Sequence, residues 1–201
     1  MTANPMTAIT ENWQAAADDE SYRRYFGIVL SGQRAGKGVL PFFLGLQPVV
    51  LLWLAQRYLA DKCDARCVLD TCSHAAADAR QRGDLRQELL EMRRDEWTEL
   101  RDLLLQYRAG RHPLESAMAD IVAAACLGGD HLWRDLGLDS RQQLSELLTL
   151  NFPDLAHKNN KDMKWKKFFY KQLCEQEGGY VCRAPSCEEC AAYDDCFGNE
   201  D

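Results

Sequence analysis

The stretch LRQELLEMRRDEWTELRDLLLQY, residues 85–107, repeats apolar side chains mostly at intervals of three and four residues. At 3.6 residues per turn, this spacing brings the apolar side chains to one face of a helix and leaves charged residues on the other. The pattern predicts one long amphipathic helix whose apolar face packs against a core. Apart from the polar Glu96, that face comprises Leu85, Leu89, Met92, Leu100, Leu103 and Leu104.

Helical patterns also account for most of the remaining chain, with prolines and glycines separating the segments. Apolar and polar residues nowhere alternate over more than a few positions, so β-strands are not predicted. The predicted fold class is all-α, an antiparallel helical bundle. Besides 85–107, the predicted helices are 11–26, 48–60, 114–127, 140–150 and 161–174, and a glycine-rich linker is predicted at 31–38.

Length and charge narrow the class of protein. A chain of 201 residues is long enough to bury a core without the help of a metal ion. The net charge of −7 argues against nucleic acid and against an anionic membrane surface as partners. The apolar run 39–55 is interrupted by Pro41, Gln47 and Pro48, so a membrane-spanning helix is not predicted.

The number of cysteines bears on the compartment. Nine is many for this length, and an odd number does not suit a secreted disulfide scaffold. The first residues, MTANPMTAITENW, lack the basic and apolar regions of a secretory signal. A reducing cytoplasm is therefore predicted, and cysteine clusters there indicate metal or redox sites.

Four cysteines lie in the stretch CRAPSCEECAAYDDCFGNED, residues 182–201, with the spacing C-x4-C-x2-C-x5-C. Thiolates are soft anionic ligands that suit zinc or an iron–sulfur cluster. The run C-x4-C-x2-C matches the first three ligands of a plant-type ferredoxin loop, whereas structural zinc sites usually take two separated pairs. The spacing favours an iron–sulfur cluster, with zinc and disulfides or unmodified thiols as alternatives. The candidate ligands are Cys182, Cys187, Cys190 and Cys196.

The five cysteines outside this motif are predicted mainly as ordinary structural residues. Cys126, in an alanine-rich helix, is predicted to lie in the core. Cys174 ends the last predicted helix and is either a spare ligand or an ordinary helix residue. A second group lacks a C-x2-C pair and is predicted to be small buried residues, with a second metal site as the alternative; it comprises Cys63, Cys67, Cys72 and, beyond them, His74.

Charged residues near the cysteine stretch allow two interpretations. Basic side chains line one face of the helix that precedes the stretch. They either form an ordinary solvent-exposed face or offset the negative charge of a cluster or an oxyanion. His131 is either a structural histidine or a non-sulfur ligand of a metal. The basic residues are Lys164, Lys167 and Lys171, with Lys158, Lys161 and Lys166 nearby.

The sequence resembles the NifQ family of nitrogen-fixation proteins, which shows the same C-x4-C-x2-C-x5-C pattern at its C-terminus. The segments DHLWRDLGL (130–138), MKWKKFFYKQLC (163–174) and APSC (184–187) are similar too. The resemblance implies a carrier of a molybdenum–iron–sulfur cluster that donates molybdenum for the iron–molybdenum cofactor of nitrogenase. The implied ligands are the four C-terminal cysteines, and the implied partners are nitrogenase cofactor assembly scaffold proteins.

Two units are predicted, a helical domain at 1–177 and a cysteine-rich metal-cluster loop at 178–201. The ligands lie within twenty residues of the chain end, so we expect an exposed, mobile segment from which a partner can take metal. No acid–base pair or nucleophile–base pair stands out, so a carrier is predicted and not an enzyme. A ferredoxin-like electron carrier and a zinc-stabilised interaction module remain alternatives.

Overall fold

The structure is a computed structural model that describes residues 20–59, 77–176, 178, 190 and 193–200. These residues form ten α-helices and contain no strand, which confirms the all-α fold class. None of the described helices is long and apolar enough to cross a membrane. In chain order they are α1 Glu20–Arg34, α2 Pro48–Tyr58, α3 Ala77–Met92, α4 Arg94–Gln106, α5 Glu115–Cys126, α6 Leu132–Asp135, α7 Arg141–Asn151, α8 Pro153–Lys158, α9 Trp165–Gln176 and α10 Tyr193–Phe197.

Helix α5 lies in the centre of the core. Its sequence ESAMADIVAAAC is rich in alanine, and such small side chains let neighbouring helices approach closely. Helix α4 packs along it and buries Leu100, Leu103 and Leu104 against it. Cys126, at the end of α5, is buried in the core, as the sequence predicts.

The predicted helix 85–107 is two helices, because the backbone leaves the helical conformation at Arg93 (φ −110°, ψ 30°). The Arg93 guanidinium donates to the carbonyl oxygen of Leu127 at 2.9 Å and forms an ion pair with Glu96. The C-terminal half of the predicted stripe is buried. The N-terminal half is not: Leu85, Leu89 and Met92 are 57%, 48% and 81% exposed, so the prediction was wrong there.

The predicted linker 31–38 is partly helical, since α1 continues to Arg34. The chain then turns at Gly36 and Gly38, whose φ angles of 70° and 71° favour glycine. A Cβ at Gly38 would lie 2.5 Å from the carbonyl oxygen of Asp135. The N–H of Val39 donates to the same oxygen at 3.0 Å, so this close approach fixes α6 beside the end of α1.

Helices α7, α8 and α9 form the surface against which the end of the chain packs. Ser140 caps α7, its Oγ accepting a hydrogen bond from the N–H of Gln143 at 3.2 Å. Pro153 occupies the first turn of α8, where no N–H is needed. Helix α9 begins at Trp165, later than predicted, and buries Trp165, Phe168 and Phe169.

Candidate metal centre at the C-terminus

Two of the four candidate ligands lie within the described residues. Cys190 and Cys196 are both half-buried; Cys190 precedes α10, and Cys196 lies within it. The N–H of Tyr193 donates to the carbonyl oxygen of Cys190 at 3.1 Å. Cys182 and Cys187 lie outside the described residues, so their positions relative to this pair are not assigned.

We call residues 193–200 the C-terminal segment, and Lys164 holds it through two hydrogen bonds. The backbone N–H of Lys164 donates to the carbonyl oxygen of Cys196 at 2.7 Å. Its Nζ donates to the carbonyl oxygen of Asp194 at 2.8 Å. Cys196 and Phe197 pack against the hydrophobic core. The backbone of Cys196 is therefore held against the N-terminus of α9.

The turn after α10 requires glycine. The N–H of Gly198 donates to the carbonyl oxygen of Asp194 at 2.9 Å, which closes the last turn. A Cβ at Gly198 would lie 2.5 Å from that same oxygen, closer than any side chain tolerates. This turn directs the following residues back onto the helical body.

Glu200 is the second anchor of the C-terminal segment. The residue is only 6% exposed, and its carboxylate lies between two basic side chains. Arg141 Nη1 is 2.8 Å from one carboxylate oxygen, and His131 Nδ1 is 3.4 Å from the other. Because removing a carboxylate from water is costly, this pairing is what permits its burial.

Arg141 joins Glu200 to the turn before α9. Its Nη2 donates to the carboxylate of Asp162 at 2.7 Å and to the carbonyl oxygens of Asp162 and Met163 at 3.0 and 3.1 Å. Burial lowers the pKa of Arg141, but the hydrogen bond with Asp162 and the charge of Glu200 outweigh it, and the pKa is raised. The guanidinium therefore stays charged and cross-links three parts of the chain.

These contacts differ from the expectation of an exposed and mobile chain end. The described part of the C-terminal segment is anchored at Cys196, Asp194 and Glu200. Sequence reasoning missed Arg141 and Glu200, because neither stands in a recognisable motif and their contact joins distant parts of the chain. His131, for which a structural role and metal ligation were both considered, lies 3.4 Å from the carboxylate of Glu200.

The basic face of α9 is divided among different tasks. Lys164 holds the C-terminal segment, Lys167 is exposed, and Lys171 lies 3.6 Å from the carboxylate of Glu175. Lys166 points inward, where it pairs with Asp135 and donates to the carbonyl oxygen of Gly128 at 2.9 Å. The interpretation as an ordinary solvent-exposed basic face therefore holds for only some of these lysines.

Asp135 itself is fully buried. Burial raises the pKa of its carboxyl group, although Lys166 acts in the opposite direction. The N–H of Asp130 also donates to this carboxylate, at 3.2 Å. The Lys166–Asp135 pair thereby joins α9 to the α5–α6 turn and supports the surface that carries the C-terminal segment.

A groove of about 400 Å³ borders the C-terminal segment, and we call it the lysine groove. Phe197, the residue after Cys196, forms one of its walls, and Met163 and Phe168 contribute apolar surface. The polar side chains that line it include Lys158, Lys161, Lys171, Asn160, Gln172 and Glu175. The groove therefore places positive charge next to the candidate ligand segment.

The remaining cysteines differ in reactivity. Burial raises the pKa of the Cys126 thiol to about 12, so it stays protonated at neutral pH and cannot serve readily as a ligand. Cys174, on α9, is half-buried. The group at Cys63, Cys67 and Cys72 lies outside the described residues. Within the described part of the chain, no three His, Cys, Asp or Glu side chains are placed to hold a metal ion.

The fold and these contacts define a class: an all-helical protein whose C-terminal cysteine segment is anchored on its helical body. The NifQ family model matches residues 25–198, and the chain belongs to the NifQ family. No solved structure matches this chain. Membership of this family gives the protein a role in nitrogen fixation, in the biosynthesis of the nitrogenase cofactor.

Several curated relatives carry the family name. Protein NifQ of Azotobacter vinelandii is 52% identical over 187 residues, which cover 93% of each chain. Protein NifQ of Klebsiella pneumoniae is 38% identical over 167 residues, 81% of this chain and 90% of the relative. A NifQ homolog of Sinorhizobium fredii is 47% identical over 100 residues, 50% of this chain and 44% of the relative. The first two matches span nearly the full length of the relatives.

Proposed function

We propose that this protein carries a molybdenum–iron–sulfur cluster on Cys182, Cys187, Cys190 and Cys196 and donates molybdenum to the nitrogenase cofactor. The observation that supports the proposal most is the anchoring of Cys196 on the helical body, beside a positively charged groove. The spacing of the four cysteines and membership of the NifQ family support it independently. We propose a cytoplasmic carrier and not an enzyme.

The chemistry of such a carrier is ligand exchange. Thiolates bind soft metals, and the metal leaves when the ligands of an acceptor replace them. Scaffold proteins of nitrogenase cofactor assembly are the proposed acceptors. An acceptor has to approach ligands near the surface, and Cys190 and Cys196 are both half-buried and not enclosed in the core.

The anchored segment holds the last cysteine of the motif in a fixed position. Lys164 fixes the carbonyl oxygens of Asp194 and Cys196, so the backbone that carries this thiol keeps its orientation relative to α9. A fixed ligand reduces the entropy lost when metal binds, which strengthens binding. We expect the anchor to slow the release of metal until an acceptor docks.

The ligand assignment is tested by replacing each motif cysteine with Ala and measuring iron and molybdenum per chain after anaerobic purification. Each variant should lose most of its iron. Cys174→Ala is a matched control, since Cys174 is also half-buried but lies outside the motif. If three of the four motif variants keep full iron, the assignment is wrong.

The same preparation distinguishes the alternatives. A colourless protein that contains zinc would indicate a zinc-stabilised interaction module, since zinc thiolates do not absorb visible light. A coloured protein with iron, which takes up no molybdenum and keeps its metal in the presence of the scaffold, would indicate an electron carrier. Transfer of molybdenum from the loaded protein to the scaffold would support the proposed donor.

A further inference from the structure

We propose that the lysine groove is a binding site for a small tetrahedral oxyanion, and that molybdate is the member of this class that matters here. The inference rests on the proposed function for the choice of molybdate, whereas the class of ligand follows from the groove itself. The proposal concerns binding alone and assigns no chemical step to the bound anion.

The charge of the groove selects an anion. Three ammonium groups, those of Lys158, Lys161 and Lys171, line it against one carboxylate, that of Glu175. The amides of Asn160 and Gln172 add neutral N–H groups that can donate to an oxyanion. A concave site with excess positive charge raises the local concentration of anions, most strongly at low salt.

Lys158 keeps donor capacity for a ligand. Its Nζ donates to the hydroxyl of Tyr107 at 2.6 Å and lies 4.4 Å from the centre of that ring. An ammonium group has three N–H donors, so this hydrogen bond leaves others that can reach an anion. The contact with Tyr107 also limits the motion of the lysine, which lowers the entropy cost of binding.

Lys171 can also bind an anion, because its existing ion pair is weak. Its Nζ lies 3.6 Å from a carboxylate oxygen of Glu175, and both side chains are about half exposed. Exposed ion pairs of this kind contribute little, so a dianion can compete with Glu175 for the lysine. Glu175 also accepts a hydrogen bond from Gln172 Nε2 at 2.6 Å, so removing its carboxylate charge weakens its contacts with two donors of the groove.

The groove is next to the candidate metal ligands. Phe197 forms a wall of the groove and directly follows Cys196, whose carbonyl oxygen is held by Lys164. An anion in the groove therefore lies on the same anchored surface as this cysteine. Another groove of similar size, lined by Arg24, Lys37 and Asp139, is not adjacent to a described cysteine.

The test is equilibrium dialysis of the full-length protein against molybdate at low salt, with metal analysis of both chambers. Lys161→Gln and Lys171→Gln should each weaken binding by about two- to five-fold, the range of exposed charge pairs. Lys167→Gln is the matched control, because this exposed lysine shares α9 but does not line the groove. It should leave binding unchanged.

Glu175→Gln provides a test with the opposite sign. It should tighten molybdate binding by about two- to five-fold, because it removes the competing carboxylate. Glu88→Gln makes the same change of net charge on α3, away from the groove, and should have no effect. Sulfate should compete with molybdate, as expected for a site that recognises a tetrahedral dianion.

Two outcomes would contradict the assignment of the oxyanion site to the lysine groove. One is molybdate binding that the lysine variants and Glu175→Gln leave unchanged. The other is binding that is lost in Cys196→Ala but kept in the lysine variants, which would assign the anion to the thiols. Failure of the carrier function is seen separately, as a lack of iron in the purified protein while the groove still binds molybdate.

Discussion

The carboxylate of Glu200 lies 2.8 Å from the guanidinium of Arg141, and this contact connects the end of the chain to the first turn of α7. Glu200 is buried, whereas glutamate side chains are almost never fully buried unless they are paired. Since Arg141 also binds the turn at Asp162, one side chain links the end of the chain to two other regions. The contact makes the C-terminal segment part of the folded body.

Arg141→Gln should release the C-terminal segment. Among the described residues, the substitution leaves His131 as the one basic side chain beside the buried carboxylate of Glu200, and an unsatisfied buried polar group costs about 1–3 kcal/mol. Hydrogen exchange measured by mass spectrometry should become faster in residues 193–200. Arg108→Gln, at an exposed arginine, is the control and should leave exchange unchanged. Unaltered protection of the segment in Arg141→Gln would show that Lys164 alone suffices.

Lys166→Met should destabilise the protein strongly. It leaves the fully buried carboxylate of Asp135 without its cation, and breaking a buried pair in this way costs about 3–5 kcal/mol. Urea unfolding monitored by circular dichroism measures the loss. Lys167→Met, at the next and exposed position, should change stability by less than about 0.5 kcal/mol. Equal effects of the two variants would contradict the inward orientation of Lys166.

The deficit of Lys166→Met should depend on pH. Burial raises the pKa of Asp135, so the folded state holds a proton that the unfolded chain releases near its ordinary pKa of ~4. Stability from this group is therefore present at low pH and is lost as the pH rises through the raised, folded-state pKa. The deficit measured at pH 7 should shrink toward pH 4. An Asp135→Asn, Lys166→Met double variant should lack this dependence.

Thiol labelling should separate the cysteines by environment. Cys126 is buried with a pKa of about 12, so an alkylating reagent at pH 8 should not modify it in the native protein. In the metal-free protein, Cys190 and Cys196 should be modified, and bound metal should protect both. Cys174, outside the motif, should react equally in the two states. Mass spectrometry of peptides measures each site, and protection of Cys174 by metal would enlarge the proposed ligand set.

The two halves of the predicted stripe should respond differently to substitution. Leu85→Gln and Leu89→Gln lie on exposed positions of α3 and should each change stability by less than about 0.5 kcal/mol. Leu100→Ala removes a fully buried side chain on α4 and should cost about 2–5 kcal/mol. Thermal unfolding measures all three variants. A large loss in Leu89→Gln would indicate that α3 is covered in solution.

The sequence by itself determined those features that depend only on residues close together in the chain. Helical periodicity indicated an all-α chain and predicted the segments that form the central helix α5 and the helix α7. The spacing of the cysteines is also local, because ligands on one loop can meet without knowledge of the rest of the fold. The resemblance to the NifQ family rested on the same short segments.

Tertiary structure alone decided which side chains support the candidate metal centre. Six lysines near the cysteines look equivalent in sequence, yet Lys166 points inward and pairs with the buried Asp135, Lys164 holds Cys196, and Lys171 lines a groove. The apolar stripe 85–107 is buried only in part, because the helix is interrupted at Arg93, whose side chain contacts the distant Leu127. Each outcome depends on contacts between residues far apart in the chain, and local periodicity carries no information about such contacts.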